Sequence, residues 1–218
     1  MSGFMLKKYL LYSLFACSVF GLILFIFWKQ EYKYTRPTPV PENLNVISKG
    51  DSVDLTPFGE IYKDNVFVHF YNYDCPCSRF NIKEFESLVR KYSKQVQFIA
   101  IIQTQDKDVE QINWFKNKYD LGIPTLIDPN GDLANVLGVY STPQAVLIKN
   151  NRVYYKGNYN KARFCTTRNT RFAELALSAL VDGKEPPVLP LIAEIAYGCQ
   201  LPSKKAKQLS LMQILNFE

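Results

Sequence analysis

The chain has 218 residues, 47% of them apolar and 21% charged, and carries a net charge of +6. That length suits one domain of ordinary size plus an anchor and is short for two full domains, and the apolar share excludes global disorder. The basic residues are scattered rather than interleaved with aromatics, so the composition argues against a nucleic-acid partner.

Residues 1–8 form a short flank. From Tyr9 to Trp28 there is no charged residue, and about twenty apolar residues cross a bilayer core as a helix. Lys7 and Lys8 precede the run; Trp28 and Lys29 close it at an interface-like position. A cleaved signal has a shorter apolar region and a small-residue cleavage site, so residues 9–28 read as an uncleaved transmembrane anchor. Leu14-Phe15-Ala16-Cys17 partly matches the lipid-attachment box of bacterial lipoproteins, but Phe15 is bulky for it and the apolar run continues well past Cys17. Cys17 therefore reads as a membrane-embedded side chain. Basic residues on both sides leave the orientation undecided by the positive-inside rule. Four cysteines follow the anchor: Cys75, Cys77, Cys165 and Cys199. An even number in a small exported domain fits an oxidising compartment. The expected location is the cytoplasmic membrane, single-pass, with the domain on the periplasmic or extracytoplasmic side.

Residues 29–48 contain Pro37, Pro39 and Pro41 and no periodicity, which predicts a semi-extended tether. Residues 49–202 form the predicted domain, and 203–218 a basic tail with Lys204, Lys205 and Lys207, read as solvated. Gly50 to Gly59 reads as a loop or short hairpin. Val66 to Tyr71 is a buried strand by its run of β-formers. Ile82, Phe85, Leu88, Val89 and Tyr92 have helical spacing. Val96 to Ile102 is a second buried strand, and Val109 to Tyr119 a second helix. Thr125 to Ile127 is a short strand ending in the turn Asp128-Pro129-Asn130-Gly131, and Leu133 to Leu137 one helical turn. Gln144–Lys149 and Arg152–Lys156 form a hairpin around Asn150-Asn151. Phe172 to Leu180 is a third helix with Leu175, Ala176, Ala179 and Leu180 inward, stopped by Gly183. The order β-α-β-α-β-hairpin-α predicts an α/β fold, a mixed sheet covered on both faces.

Asp74-Cys75-Pro76-Cys77-Ser78-Arg79-Phe80 stands where the first strand meets the first helix. Pro76 suits the first helical position, since its missing N–H has no intrahelical partner to lose. Cys75 then falls at the N-cap, where partial positive charge and unpaired N–H groups stabilise a thiolate and lower its pKa. Arg79, one turn on, adds positive potential and Asp74 opposes it. Cys75 and Cys77 can form a strained disulfide around Pro76, which would be the more oxidising for its strain. Alternatively Cys75 works with another thiol, or both sulfurs hold a soft metal. His69, the only histidine, reads as a hydrogen-bonded core residue, and Tyr71 and Tyr73 as walls of the site.

The Cys-Pro junction, together with Gly138-Val139-Tyr140-Ser141-Thr142-Pro143-Gln144 before a hairpin, resembles the thioredoxin-like superfamily. Within it the chain is similar to membrane-anchored, redoxin-like bacterial proteins with a Cys-Pro-x-Ser site. The segments Tyr155-Lys156-Gly157-Asn158-Tyr159, Phe164-Cys165-Thr166 and Tyr197-Gly198-Cys199 resemble one branch of that group. The resemblance implies that Pro143 is cis and faces Cys75, supported by Thr142, with Pro76, Ser78 and Arg79 around the thiol. With export, it implies a structural Cys165–Cys199 disulfide closing a loop of about 35 residues, worth on the order of 3–4 kcal/mol in the chain-entropy model. The sequence departs from Cys-x-x-Cys: Ser78 stands where the second thiol would be. The peroxiredoxin pattern fails too, at Val68 and Asn72.

The expected function is a membrane-tethered thiol–disulfide oxidoreductase, with Cys75, Cys77 and Pro143 as its catalytic residues. Its partners would be envelope protein thiols or disulfides and a thiol electron carrier, with no cofactor and no resident metal. Two alternatives stand beside it: a module that handles copper through its thiolates, and a catalytically silent interaction domain.

Overall fold

A computed structural model describes residues 3–32, 36–104, 109–161 and 170–201. The chain divides into two units, Met1–Arg36 and Pro37–Glu218. The first is a single helix, α1 (Gly3–Tyr32), apolar on all sides. Its stretch Lys7–Gln30 is long and apolar enough to cross a membrane, a test that a signal sequence also passes. Cys17 lies exposed on it. The helix runs four residues past the predicted end of the anchor, into what was expected to be tether.

The second unit is built on the strands β1 (Asn65–Asn72), β2 (Gln97–Gln103), β3 (Thr125–Ile127), β5 (Gln144–Lys149) and β6 (Arg152–Gly157), in the order β3-β2-β1-β5-β6. The pairs β1–β2 and β2–β3 are parallel; β1–β5 and β5–β6 are antiparallel. Helices α2 (Pro76–Tyr92) and α3 (Val109–Tyr119) make the parallel crossovers, as parallel pairing requires. Asn150 and Asn151 both have positive φ, 49° and 59°, the backbone that a two-residue hairpin turn needs and asparagine tolerates.

Successive strand residues point to opposite faces, and both faces are buried. One face (Phe67, Tyr71, Phe98, Ala100, Ile102, Ala145, Leu147) packs on α2, on Phe115 of α3 and on α5 (Phe172–Val181). The other (Val66, Val68, Phe70, Ile99, Ile101, Val146, Ile148) packs on Val53, Leu55 and Phe58 and on Ala134 of α4 (Asp132–Val136). This is the thioredoxin-like mixed sheet with helices on both faces.

Two local expectations are corrected and a third is narrowed. Leu175 points outward, and α5 buries Phe172, Ala173, Ala176, Leu177 and Leu180 instead, because a 3.6-residue period cannot place both Leu175 and Leu177 on one narrow face. Of the two readings of Gly50 to Gly59 the loop holds, with a single bridge, Ser52 to Arg152, and a 3₁₀ turn at Thr56–Phe58. The predicted tether ends early: Pro37 bridges Tyr197, the Thr38 N–H donates to the Ala196 carbonyl at 2.8 Å, and Thr38 is buried. Prolines suited this segment to an extended path, and the path it takes lies against the domain.

Two short strands escaped the sequence reading. They are β4 (Ser141–Thr142) and β7 (Cys199–Gln200), paired antiparallel with Thr142 opposite Cys199. The tail 203–218 and Cys165 lie outside the described residues.

Candidate functional site

Strand β1 ends at Asn72, which builds the turn that follows. Its side-chain oxygen accepts the Asp74 N–H at 2.9 Å, its carbonyl accepts the Cys75 N–H at 3.2 Å, and its own N–H donates to the Ser78 hydroxyl at 3.4 Å. Cys75 is then the N-cap of α2, in extended conformation, with Pro76 as the first helical residue. Ser78 is buried at the second-thiol position, while Arg79 and Asp74 are exposed on the first turn and the preceding loop. The Thr142–Pro143 bond is cis, and the Thr142 carbonyl oxygen lies 3.5 Å from Cys75 Sγ. The predicted junction, the proline loop and the thiol therefore meet.

The cysteine pairing departs from the Cys75–Cys77 ring and from the Cys165–Cys199 bridge, and follows the alternative in which Cys75 works with another thiol. Cys75 is disulfide-bonded to Cys199, 124 positions away, with a Cα–Cα distance of 5.7 Å. Cys199 is thus not joined to Cys165, and the ring between Cys75 and Cys77 is not closed. The reason is the β4–β7 pairing, which lays Cys199 opposite Thr142 and so beside Cys75. Cys77, at the second helical position, is buried outside the disulfide. The three sulfurs lie within 4.8 Å of one another.

Cys75 is 0% exposed, yet neither apolar cluster of the core includes it. Against its sulfur lie the Thr142 carbonyl and Cys199 of β7, a short strand in the strap that follows α5. Asn158 holds this strap: its side-chain NH₂ donates to the carbonyls of Ile192 and Ile195 at 2.8 and 2.5 Å, and its side-chain oxygen accepts the Tyr197 N–H at 3.4 Å. The Tyr155 hydroxyl donates to the Ala193 carbonyl at 3.2 Å. Gly157 is glycine because a Cβ there would overlap the Ala193 carbonyl oxygen. Past the site, the Leu201 N–H donates to the Tyr140 carbonyl at 3.1 Å, and Leu201 is buried.

His69 takes no part in this geometry. It is 0% exposed, stacked on Phe85 at 4.1 Å, and its Nδ1 lies 2.6 Å from the Tyr159 hydroxyl. Burial pushes its pKa down to about 3, because charge is disfavoured away from water, so it stays neutral. Tyr71 and Tyr73 belong to an aromatic cluster with Trp114, Phe115 and Tyr119, where burial pushes both phenols up.

Sequence reasoning missed the β4–β7 ladder, since two residues carry no periodicity. The signal available was Gly198 directly before Cys199, a backbone-freedom residue beside a thiol.

No protein of curated function matches the sequence. Among solved structures, a hypothetical protein from Sinorhizobium meliloti matches with a TM-score of 0.61 at 19% identity, covering 72% of this chain and 95% of its own. An uncharacterized conserved protein from Geobacillus kaustophilus matches with a TM-score of 0.60 at 18% identity, covering 72% and 93%. A thioredoxin-like protein in the oxidized form matches at 0.48 and 14% identity, covering 68% and 98%. At these identities the likeness is one of fold. One family model matches residues 47–201, and the chain belongs to that family, described as domain of unknown function DUF6436.

Proposed function

We propose that the chain is a membrane-tethered thiol–disulfide oxidoreductase of the cell envelope, with Cys75 as the sulfur that meets the partner. One observation carries this reading: Cys75 sits at the N-terminus of α2, against the Thr142-Pro143 loop, already bonded to a second cysteine on a short edge strand. A helix N-terminus favours the thiolate, both as attacking and as leaving group.

The exchange balances as follows. A partner thiolate attacks Cys75 Sγ, a Cys75–partner bond forms, and Cys199 leaves with the electron pair of the broken disulfide. The partner's second thiolate then attacks the partner sulfur of that mixed disulfide and expels Cys75. Two electrons pass from the partner dithiol to the Cys75–Cys199 pair. Run backwards, the same steps reduce a partner disulfide. Cys77 lies within reach of the same sulfurs and serves as a third exchanging thiol. The partners are cysteines of envelope proteins, the counter-electrons come from a thiol carrier, and the tether is α1, with the domain on the extracytoplasmic side.

The test is alkylation trapping and mass spectrometry of the full chain in detergent, across a glutathione redox series. Cys75 and Cys199 should change state together as a two-electron couple. A Cys75 that keeps one state throughout, or pairs with Cys165, overturns the reading.

A second reading rests on the same three sulfurs. With the disulfide reduced, Cys75, Cys77 and Cys199 form a compact thiolate set of the kind that suits Cu(I) or Zn. Stoichiometric Cu(I) binding by the reduced chain, lost in Cys77→Ser, would favour it; competition titration with a chromophoric Cu(I) chelator reads the outcome.

A further inference from the structure

Strand β7 is two residues long, pairs with β4 and with no other described strand, and holds its place between the Asn158 anchor and the Leu201–Tyr140 hydrogen bond. Paired with β4, it brings Cys199 to Cys75 along this edge. Its backbone is specific. Gly198 has φ +143°, and a Cβ built on it would overlap the Thr142 carbonyl oxygen and come within 3.4 Å of Ser141 Oγ. Thr142 and Ser141 are themselves 0% exposed, and Ser141 Oγ is held 2.8 Å from Thr38 Oγ1, so neither can give way cheaply in a packed interior. Gln200, on the other side of Cys199, is only half-buried.

We infer that Gly198-Cys199-Gln200 is an internal stand-in for the partner, and that the β4 edge beside Cys75 takes extended protein segments with glycine directly before the reacting cysteine. The inference rests on the proposed exchange reaction and adds the chemistry of its substrate. Strand addition to an edge draws affinity from the main chain and specificity from the side-chain positions. Here the position before the cysteine meets backbone, and a side chain there pushes the strand off its register. Disulfide exchange needs the attacking sulfur in line with the bond it breaks, so a small displacement costs rate. The position after the cysteine is only half-buried and is the less restricted of the two. The stand-in also closes the site: while β7 is seated it competes at the effective concentration of a tethered segment, and a partner enters only as β7 leaves.

The test uses the full chain in detergent with Cys77→Ser and Cys199→Ser, leaving Cys75 as the one sulfur of the three. It is mixed with the symmetric disulfide of Tyr-Gly-Cys-Gln-Leu or of Tyr-Ala-Cys-Gln-Leu. The Cys75 thiolate attacks one peptide sulfur, the Cys75–peptide bond forms, and the second peptide departs as thiolate. The readout is the rate of mass gain on the Cys75 fragment, divided by the rate of each peptide disulfide with glutathione. Both peptides face the same competition from residues 197–201, so their ratio reports the position before the cysteine. The glycine peptide should react at least about tenfold faster, the scale of a forced small-to-large overlap. Equal normalised rates, with Cys75 faster than glutathione on both, overturn the glycine rule and leave the exchange reaction standing. Cys75 no faster than glutathione on either peptide overturns both. The pre-reduced wild-type chain, followed by loss of peptide disulfide, gives the same ratio without the substitutions.

Discussion

His69 and Cys75 belong to one run of chain, the first in β1 and the second just beyond its end, and both are 0% exposed. They are buried by different things. His69 is enclosed by Phe85, Tyr71 and Tyr159, residues of the main core. Cys75 lies against the Thr142 carbonyl and β7, two residues held by one disulfide and a short ladder. Removing the first cover means unfolding the domain; removing the second means breaking bonds that thiols break. Burial silences a titratable group in the first setting; in the second it encloses a disulfide, the one that the proposed exchange would open.

The largest expected effect sharpens the second half of that contrast. A disulfide spanning 124 positions contributes about 5 kcal/mol in the chain-entropy model. Cys199→Ser should lower the unfolding free energy by up to about that amount, measured by urea denaturation in detergent, and dithiothreitol should bring the wild type down to the level of the variant. Cys165→Ser leaves the Cys75–Cys199 bond intact and should not show that loss. A Cys165→Ser loss as large as that of Cys199→Ser would restore the Cys165–Cys199 pairing and break the contrast, since Cys199 belongs to both pairings.

His69 gives the next effect, on the core side. Its pKa falls from 6.5 to about 3 on folding, so below pH 6.5 the unfolded chain takes a proton that the folded chain refuses. The contribution of neutral His69 is fully present above that pH. It is lost as the pH falls towards 3, at up to about 1.4 kcal/mol per unit. Urea midpoints between pH 7 and pH 4 should show this slope, and His69→Phe should flatten it. The exchange chemistry of Cys75 should not follow His69, since that ring bonds Tyr159 and packs among aromatics. A thiol-exchange rate that changes with His69→Phe would show the two regions to be coupled.

The same contrast explains what could be read from sequence. Strand β1, helix α2 and the Asn150-Asn151 hairpin were legible because their apolar residues repeat over several positions and their turns need particular residues. The Cys75-Pro76 cap was legible because proline at the first helical position has a single physical meaning. The partner of Cys75 was not legible. Four cysteines after the anchor allow three complete pairings, and the choice among them is made by a two-residue ladder, β4 with β7, too short to leave a period. The Pro37–Thr38 segment was misread for the same reason: prolines announce an extended chain, not the surface it lies on.

Asn158→Ala tests how firmly the cover is held. The side chain answers two strap carbonyls and one strap N–H, and leaving such groups unsatisfied costs about 1–3 kcal/mol. Stability should drop by that amount, and reduction of Cys75–Cys199 by dithiothreitol should become several-fold faster. A stability loss without faster reduction would mean that β7 holds its place independently of the strap before it.

The smallest effect concerns the other side of the cover. Thr38 Oγ1 lies 2.8 Å from Ser141 Oγ, and its backbone N–H donates to Ala196. Thr38→Val keeps the backbone bond and the shape but strands the Ser141 hydroxyl, at a cost of about 1 kcal/mol. Ser141→Ala should cost a similar amount, and the double variant should cost clearly less than the sum, the mark of two groups in contact. Additive costs would mean that the leading segment merely rests on the domain. Coupling would mean that residues before the sheet brace the β4 edge from behind, so that the cover over Cys75 is held from both ends of the domain.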